Sequence, residues 1–387
     1  MASSPCLFQF LLSFSLIAHA AACAAPGCQL LNPCSGAEEC APGLYCGTCP
    51  ASGKNRPSCT RGQATRQTDI EKGLPFNKYT WLVTHNSFSI VNAPSFTGVQ
   101  RVTFYNQEDT VTNQLREPAI NTLKEVEAFL TNNPTEIVTI FIEDYVRTPK
   151  GLSSLFTNAD LMKYLYPLAE MPTNGKDWPT ITEMAEKNYR LLVFTSVASK
   201  EAEEGIAYQW RYVLENEPGD PGILPGSCPN RRESQPLSSR YASLFLQNYF
   251  PTIPVQNDAC KEHSSGLAEM VDACYKAAEK LMPNFLSVNF YLRSDGRGIF
   301  DILDRMNGLT LCGCPTVFAC KPGAAFGVCK NISSSSTPTR AGDHGGGTYA
   351  GYVEFSGSLL RSKSFSFMEM SLFYCLGFSI LSLVGMI

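Results

Sequence analysis

Glu136 to Tyr145 reads EIVTIFIEDY, a continuous β-branched and aromatic run closed by two carboxylates and a tyrosine. Such a run predicts a buried strand, with Glu143 and Asp144 at its C-terminal end. Just upstream, Pro118 to Leu130 places Ile120, Leu123, Val126 and Leu130 three or four residues apart, which gives one apolar helix face ending at Pro134. Further upstream, Tyr79 to Phe88 favours a strand whose end carries Thr84-His85-Asn86-Ser87. Downstream, Arg190 to Ser196, Ser243 to Phe250 and Asn284 to Arg293 are further strand segments, and helical patterns over 151–166, 264–282 and 298–306 separate several of them. Strands alternating with helices predict an α/β fold with parallel strands. Polar residues beyond the strand ends (His85, Asn86, Glu143, Asp144 and Arg293) place the expected site at the C-terminal face of a barrel. Fewer strands are legible than the eight a (β/α)₈ barrel needs.

The two ends read as targeting segments. Leu7 to Ala18 is mostly apolar and is followed by the small-x-small cleavage pattern Ala18-His19-Ala20, so residues 1–20 predict a signal peptide. At the other end Leu372 to Ile387 carries no charge and has no basic flank. A polar spacer precedes it, and before that the small run Ser356-Gly357-Ser358, with Ser356 the expected attachment residue and 359–387 the propeptide of a GPI anchor. Gly345-Gly346-Gly347 is a second small-residue run that could serve, and a tail-anchor helix is the rival reading.

Of the 16 cysteines only Cys6 and Cys375 fall in these end segments. The rest form a dense module over 23–59, three dispersed residues (Cys228, Cys260 and Cys274) and a second cluster over 311–330. Cys46-x-x-Cys49 has neither a second such pair nor a nearby histidine, so disulfides are expected rather than zinc, in any of several connectivities. Asn331-Ile332-Ser333 is the one glycosylation sequon and opens a Ser/Thr/Gly-rich stalk over 331–358. A net charge of −4 gives no reason to expect nucleic acid as a partner.

The chemistry is limited by four histidines, of which only His85 ends an apolar strand. His19 lies at the edge of the signal, His344 in the stalk and His263 in the polar stretch Cys260-Lys261-Glu262-His263. A lone histidine at a strand end is often structural, and no nucleophile elbow, P-loop or HExxH motif is present.

Thr84-His85-Asn86-Ser87, Phe104 to Asp109 leading to Asn113-Gln114-Leu115, Ile142-Glu143-Asp144-Tyr145 and Val288-Asn289-Phe290 together resemble the phosphatidylinositol-specific phospholipase C X domain. The cysteine-rich module, Tyr208 to Tyr212, Asn284 to Asn307 and the cysteine-rich end are similar to the plant GPI-anchored PLC-like phosphodiesterases. That resemblance implies a distorted TIM barrel over 60–310 and cleavage of a phospholipid or glycolipid phosphodiester by two histidines. One, matching His85, is the base; the other protonates the leaving oxygen. It further implies Ca²⁺ held by Asn86 and Glu143 among others, with Asn289 and Arg293 on the substrate side. The pattern departs at one place: Asn113-Gln114-Leu115-Arg116 runs directly into Glu117-Pro118-Ala119-Ile120-Asn121. Absent between them are two neighbouring strands, the second histidine, an acidic metal ligand and an arginine of the family pattern. Two functions follow: a surface phosphodiesterase impaired by this loss, or a non-catalytic GPI-anchored interaction protein on the same scaffold.

Overall fold

The computed structural model describes residues 27–62, 65, 67–70, 73–87, 106–107, 119–263 and 265–331. The signal peptide, Ser356, the stalk beyond Asn331, the Asn113-Gln114-Leu115 motif and its junction with Glu117 and Pro118 lie outside them.

Two short antiparallel strands, β1 (Leu44–Cys49) and β2 (Lys54–Arg61), form a hairpin in the cysteine-rich module. The body follows: β3 (Trp81–Thr84), α2 (Ala119–Asn132), β4 (Val138–Ile142), α3 (Gly151–Asn158), α4 (Ile181–Glu186) and β5 (Leu191–Thr195), after a short α1 (Gln67–Ile70). Next come α5 (Ser199–Glu204), β6 (Ala207–Tyr208), α6 (Gln209–Tyr212), β7 (Val213–Glu215) and β8 (Leu244–Asn248). The body closes with α7 (Gln256–Glu262), α8 (Ser265–Ala277), β9 (Phe285–Val288) and α9 (Gly298–Leu311). This is a mixed α/β fold whose strands β3 to β9 pair in parallel, in one sheet of order β3-β9-β8-β7 and another of order β4-β5-β6.

The strands β4, β5, β8 and β9 are buried along their whole length, which explains their nearly continuous apolar character. One set of alternate residues packs outward beneath the helices: Val138, Ile140 and Ile142 meet Leu123, Val126 and Leu130, the expected face of α2. The other set fills a shared interior in which Val83, Phe141, Phe194, Val213, Leu246 and Phe285 belong to one cluster, so residues of both sheets contribute to the same core. The Phe141 and Phe285 rings meet edge-on across it at 5.2 Å. Arg190, fully buried just before β5, donates Nη1 to the carbonyls of Leu130 and Asn133, a cation placed at the C-terminal end of α2.

Several expectations need correction. The helix expected over 151–166 stops at Asn158, because Asp160 takes a left-handed φ of 58° and a 3₁₀ turn over Met162–Tyr164 follows. The strand expected over Asn284–Arg293 ends at Val288, since Phe290 has φ 45° and leaves the ladder. The short strands β6 and β7 were not legible as strands, having two and three residues.

All of the described cysteines are disulfide-bonded. Cys46 and Cys49 part company: Cys34 pairs with Cys46, whereas Cys49 reaches Cys260 in α7. Four further disulfides are Cys40–Cys59, Cys228–Cys274, Cys312–Cys320 and Cys314–Cys329. The hairpin is tied to the body a second way, by the buried ion pair of Arg61 with Asp304 on α9. Gly308 of α9 lies so close to the backbone of Thr316 that a Cβ there would come within 2.2 Å of it, so a glycine at 308 is what lets the cysteine-rich end approach α9 this closely.

Candidate active-site cleft

A cleft opens at the C-terminal ends of the parallel strands, as expected for residues His85 and Glu143. His85 immediately follows β3, and its N–H donates to the Val288 carbonyl at the end of β9 (3.0 Å). Glu143 follows β4 and is exposed at the rim. Ser196 follows β5, Gln209 and Trp210 follow β6, Glu215 ends β7, and Asn248 ends β8. Every one of these strands therefore presents a polar side chain at one end, where backbone direction places it.

The imidazole of His85 is enclosed. Phe250 stacks on it with ring centroids 3.6 Å apart and planes 6° from parallel. Its Nδ1 is 2.9 Å from Asn289 Oδ1. Burial brings its pKa down to about 4, against the opposing pull of the Asn289 hydrogen bond, so the ring is neutral at neutral pH. Asn289 is thus fully buried against the histidine and does not line the cleft. Asn86, at φ 48°, donates Nδ2 to Asn106 Oδ1 at 3.4 Å.

Across the cleft lies a second constellation, buried around Glu215. Its Oε2 accepts from Gln209 Nε2 (2.8 Å) and Trp210 Nε1 (2.7 Å). Its Oε1 accepts from Asn248 Nδ2 (2.8 Å) and Arg231 Nη1 (3.0 Å). Arg231 also lies over the Trp210 ring at 5.0 Å. Burial pushes the Glu215 carboxyl above the usual carboxylate range, while Arg231 and then Asn248 and Trp210 pull the other way. The pair brings a partly exposed guanidinium to the wall of the cleft, a group suited to an anionic oxygen.

The other expected residues lie elsewhere. Arg293 is not among the cleft-lining residues; its carbonyl lies 2.8 Å from His263 Nδ1. His263, in its polar stretch, caps the C-terminal end of α7 and is buried, and burial lowers it to about 4. Asp144 is buried too, bonded by Thr195 Oγ1 (2.8 Å) and Lys200 Nζ, and is structural. Asn331 is exposed, as a glycosylation acceptor requires. Sequence reading includes Asn106 in a motif and Phe250 in a strand but gives neither a role in the site, and it gives none to the Glu215–Arg231 pair. Glu215 carries a signal like that of Glu143, an acid directly after a short apolar run (Val213-Leu214).

Ca²⁺ takes six to eight oxygens. Among the cleft-lining residues Glu143 is the one carboxylate without a full set of donors, since each oxygen of Glu215 already accepts two hydrogen bonds. The sole His/Cys/Asp/Glu cluster of metal-ligand spacing among the described residues is Cys34, Cys40 and Cys59, all disulfide-bonded. The described residues therefore do not fit a Ca²⁺ site.

The PI-PLC X 1 family pattern matches residues 108–296, which begins downstream of His85. A PI-PLC X domain-containing protein of Arabidopsis thaliana is 58% identical over 390 residues, covering 91% of each chain. The chain belongs to the PI-PLC X-domain family. An uncharacterized secreted protein of the fungus Arthroderma benhamiae is 24% identical over 209 residues, covering 49% of this chain and 47% of its own. No solved structure matches.

Proposed function

We propose that this chain is a secreted, surface-anchored PI-PLC X-domain protein. It binds the headgroup of a phosphoinositide-type or glycolipid phosphodiester in the cleft and cleaves it very poorly. The observation that carries this reading is that His85 is the one imidazole lining the cleft among the described residues. Its Nε2 can take the proton of an attacking ring hydroxyl, with Arg231 on the opposite wall to receive a phosphoryl oxygen. No second imidazole there protonates the leaving oxygen, and a general acid contributes about 10²–10⁴-fold.

In this reading the two parallel sheets are arcs of one PLC-like barrel interrupted between β3 and β4. The shared aromatic interior supports it. So does the alignment with the Arabidopsis relative. Its 390 residues exceed the 387 of the whole chain although 91% of the chain is matched, so it includes residues of the relative that face gaps here. Export is supported by the disulfides, by the apolar start of the sequence and by the name of the fungal relative. Attachment by a GPI anchor near Ser356, glycosylation at Asn331 and a place on the outer plasma-membrane face belong to the same reading.

The test is to express this chain beside a version into which the relative's gap-facing segment is inserted. Both are assayed on phosphatidylinositol vesicles with Ca²⁺. Turnover confined to the filled-in version, and abolished there by His85→Ala, is expected. Comparable turnover in both would overturn the proposal. Release of the expressed protein from membranes by a GPI-cleaving enzyme checks the anchor; a membrane-retained protein still carrying 372–387 would refute it.

A further inference from the structure

Asn106 and Gln107, which lie between β3 and α2 in the chain, are both buried. Gln107 Nε2 donates to the carbonyls of His85 (2.8 Å) and Val288 (3.1 Å) and so joins the ends of β3 and β9. The Asn106 carbonyl accepts from the Phe290 N–H at 2.8 Å. The two residues form a clasp over the place where His85 and Asn289 meet.

We propose that Asn106 is a positioning residue that sets the tautomer of His85 by fixing the amide orientation of Asn289. This rests on reading His85 as the cleft's base. An asparagine beside a histidine does not by itself decide which ring nitrogen carries the proton, because its amide can present either oxygen or nitrogen. Here the choice is made one residue further out. Asn106 Nδ2 donates to Asn289 Oδ1 at 2.9 Å, the same oxygen that lies 2.9 Å from His85 Nδ1. Two donors converge on one carbonyl oxygen, which has two lone pairs to receive them.

Turning the Asn289 amide over would set its NH₂ against that of Asn106, donor against donor. The observed orientation leaves Asn289 Nδ2 buried with no partner among the described residues, so the two bonds to Oδ1 are what hold it. Asn106 is held in turn by Asn86 Nδ2, which donates to its Oδ1 at 3.4 Å. Asn106 Nδ2 also lies 3.4 Å from His85 Nδ1, a longer contact than either bond to Asn289. The proton is therefore on Nδ1, and the Nε2 lone pair is left as the basic site. This gives the Asn86 amide nitrogen a structural duty.

The experiment is ¹⁵N NMR of the histidine side chains in the full secreted chain, above the titration range of His85. Wild type should show His85 protonated on Nδ1 with an unprotonated, pyridine-like Nε2. Asn106→Asp keeps the size but cannot donate to Asn289. It should abolish that form, while the His263 signals stay in place as an internal control of folding. Adding Asn289→Asp, whose carboxylate accepts from His85 in either orientation, should restore the Nδ1–H form. Should the Asp variant fail to fold, Asn106→Leu replaces it; with neither donor nor acceptor at 106 the Asn289 amide is unbiased, and a mixture of the two His85 tautomers is expected. A wild-type spectrum with the proton on Nε2, or an unchanged His85 spectrum in the Asn106 variant with His263 intact, would overturn the proposal. Neither result depends on turnover, so failure of the phosphodiester reading would appear separately, as absence of lipid binding with the tautomer as described.

Discussion

Replacing Arg231 by methionine tests whether the Glu215 constellation is held by its ion pair. Glu215 has 3% of its side chain exposed and Arg231 19%. The change removes one of two donors from Oε1 and the cation stacked on Trp210, and leaves Asn248, Gln209 and Trp210 in place. Breaking a buried pair from one side costs about 3–5 kcal/mol. Arg231 keeps an edge in water and Glu215 keeps three donors, so the lower end, about 3 kcal/mol, is expected at neutral pH.

The pH dependence has a definite sign. Burial already raises Glu215, and Arg231 is the largest opposing influence, so its removal raises the carboxyl further. A carboxyl raised in the folded state favours folding when it is protonated. The penalty of Arg231→Met should therefore shrink as pH falls through the raised value. Urea unfolding with the disulfides intact, followed by tryptophan fluorescence, measures both effects. Glu215→Gln combined with Arg231→Met should recover part of the loss, because it removes the unpaired charge although its NH₂ then faces a donor. A single variant within about 1 kcal/mol of wild type, the usual worth of an exposed pair, would refute the reasoning. So would a double variant no more stable than the single one.

Two further outcomes are expected. Cys49→Ala with Cys260→Ala opens a bridge between residues 211 apart, which should destabilise the chain by up to about 5 kcal/mol and let protease reach the hairpin module first; unchanged proteolysis would argue against that tether. For His263, whose folded value near 4 lies below the ordinary 6.5, stability should fall as pH drops from about 6.5 to about 4, and His263→Gln should remove that part of the slope. Glu262, raised to about 7, acts in the opposite direction over 4.5 to 7, so the difference between wild type and variant, rather than either curve alone, is the quantity to compare.

Much of this molecule is local and therefore legible in its residues. Ile137 to Ile142 reads as a covered strand because its run is short, nearly continuous in apolar side chains and rich in β-branched ones. Ile120, Leu123, Val126 and Leu130 fix α2 by spacing alone, and the cysteine clusters announce disulfides. His85 and Glu143 were identifiable because a polar residue after a buried strand must emerge at its end. Pairing and orientation were not legible, since they depend on contacts between residues far apart in the chain. That Cys46 and Cys49 take different partners, that His263 is buried, and that Asn289 lies against His85 were all decided by packing. Phe250 lies 165 positions from His85 in the numbering, and no periodicity links them; their rings meet because β3 and β8 both pair with β9. The sequence determined which groups are available for chemistry, while the tertiary structure decided which of them face each other, because burial gives each polar atom only the partners that the neighbouring strands bring to it.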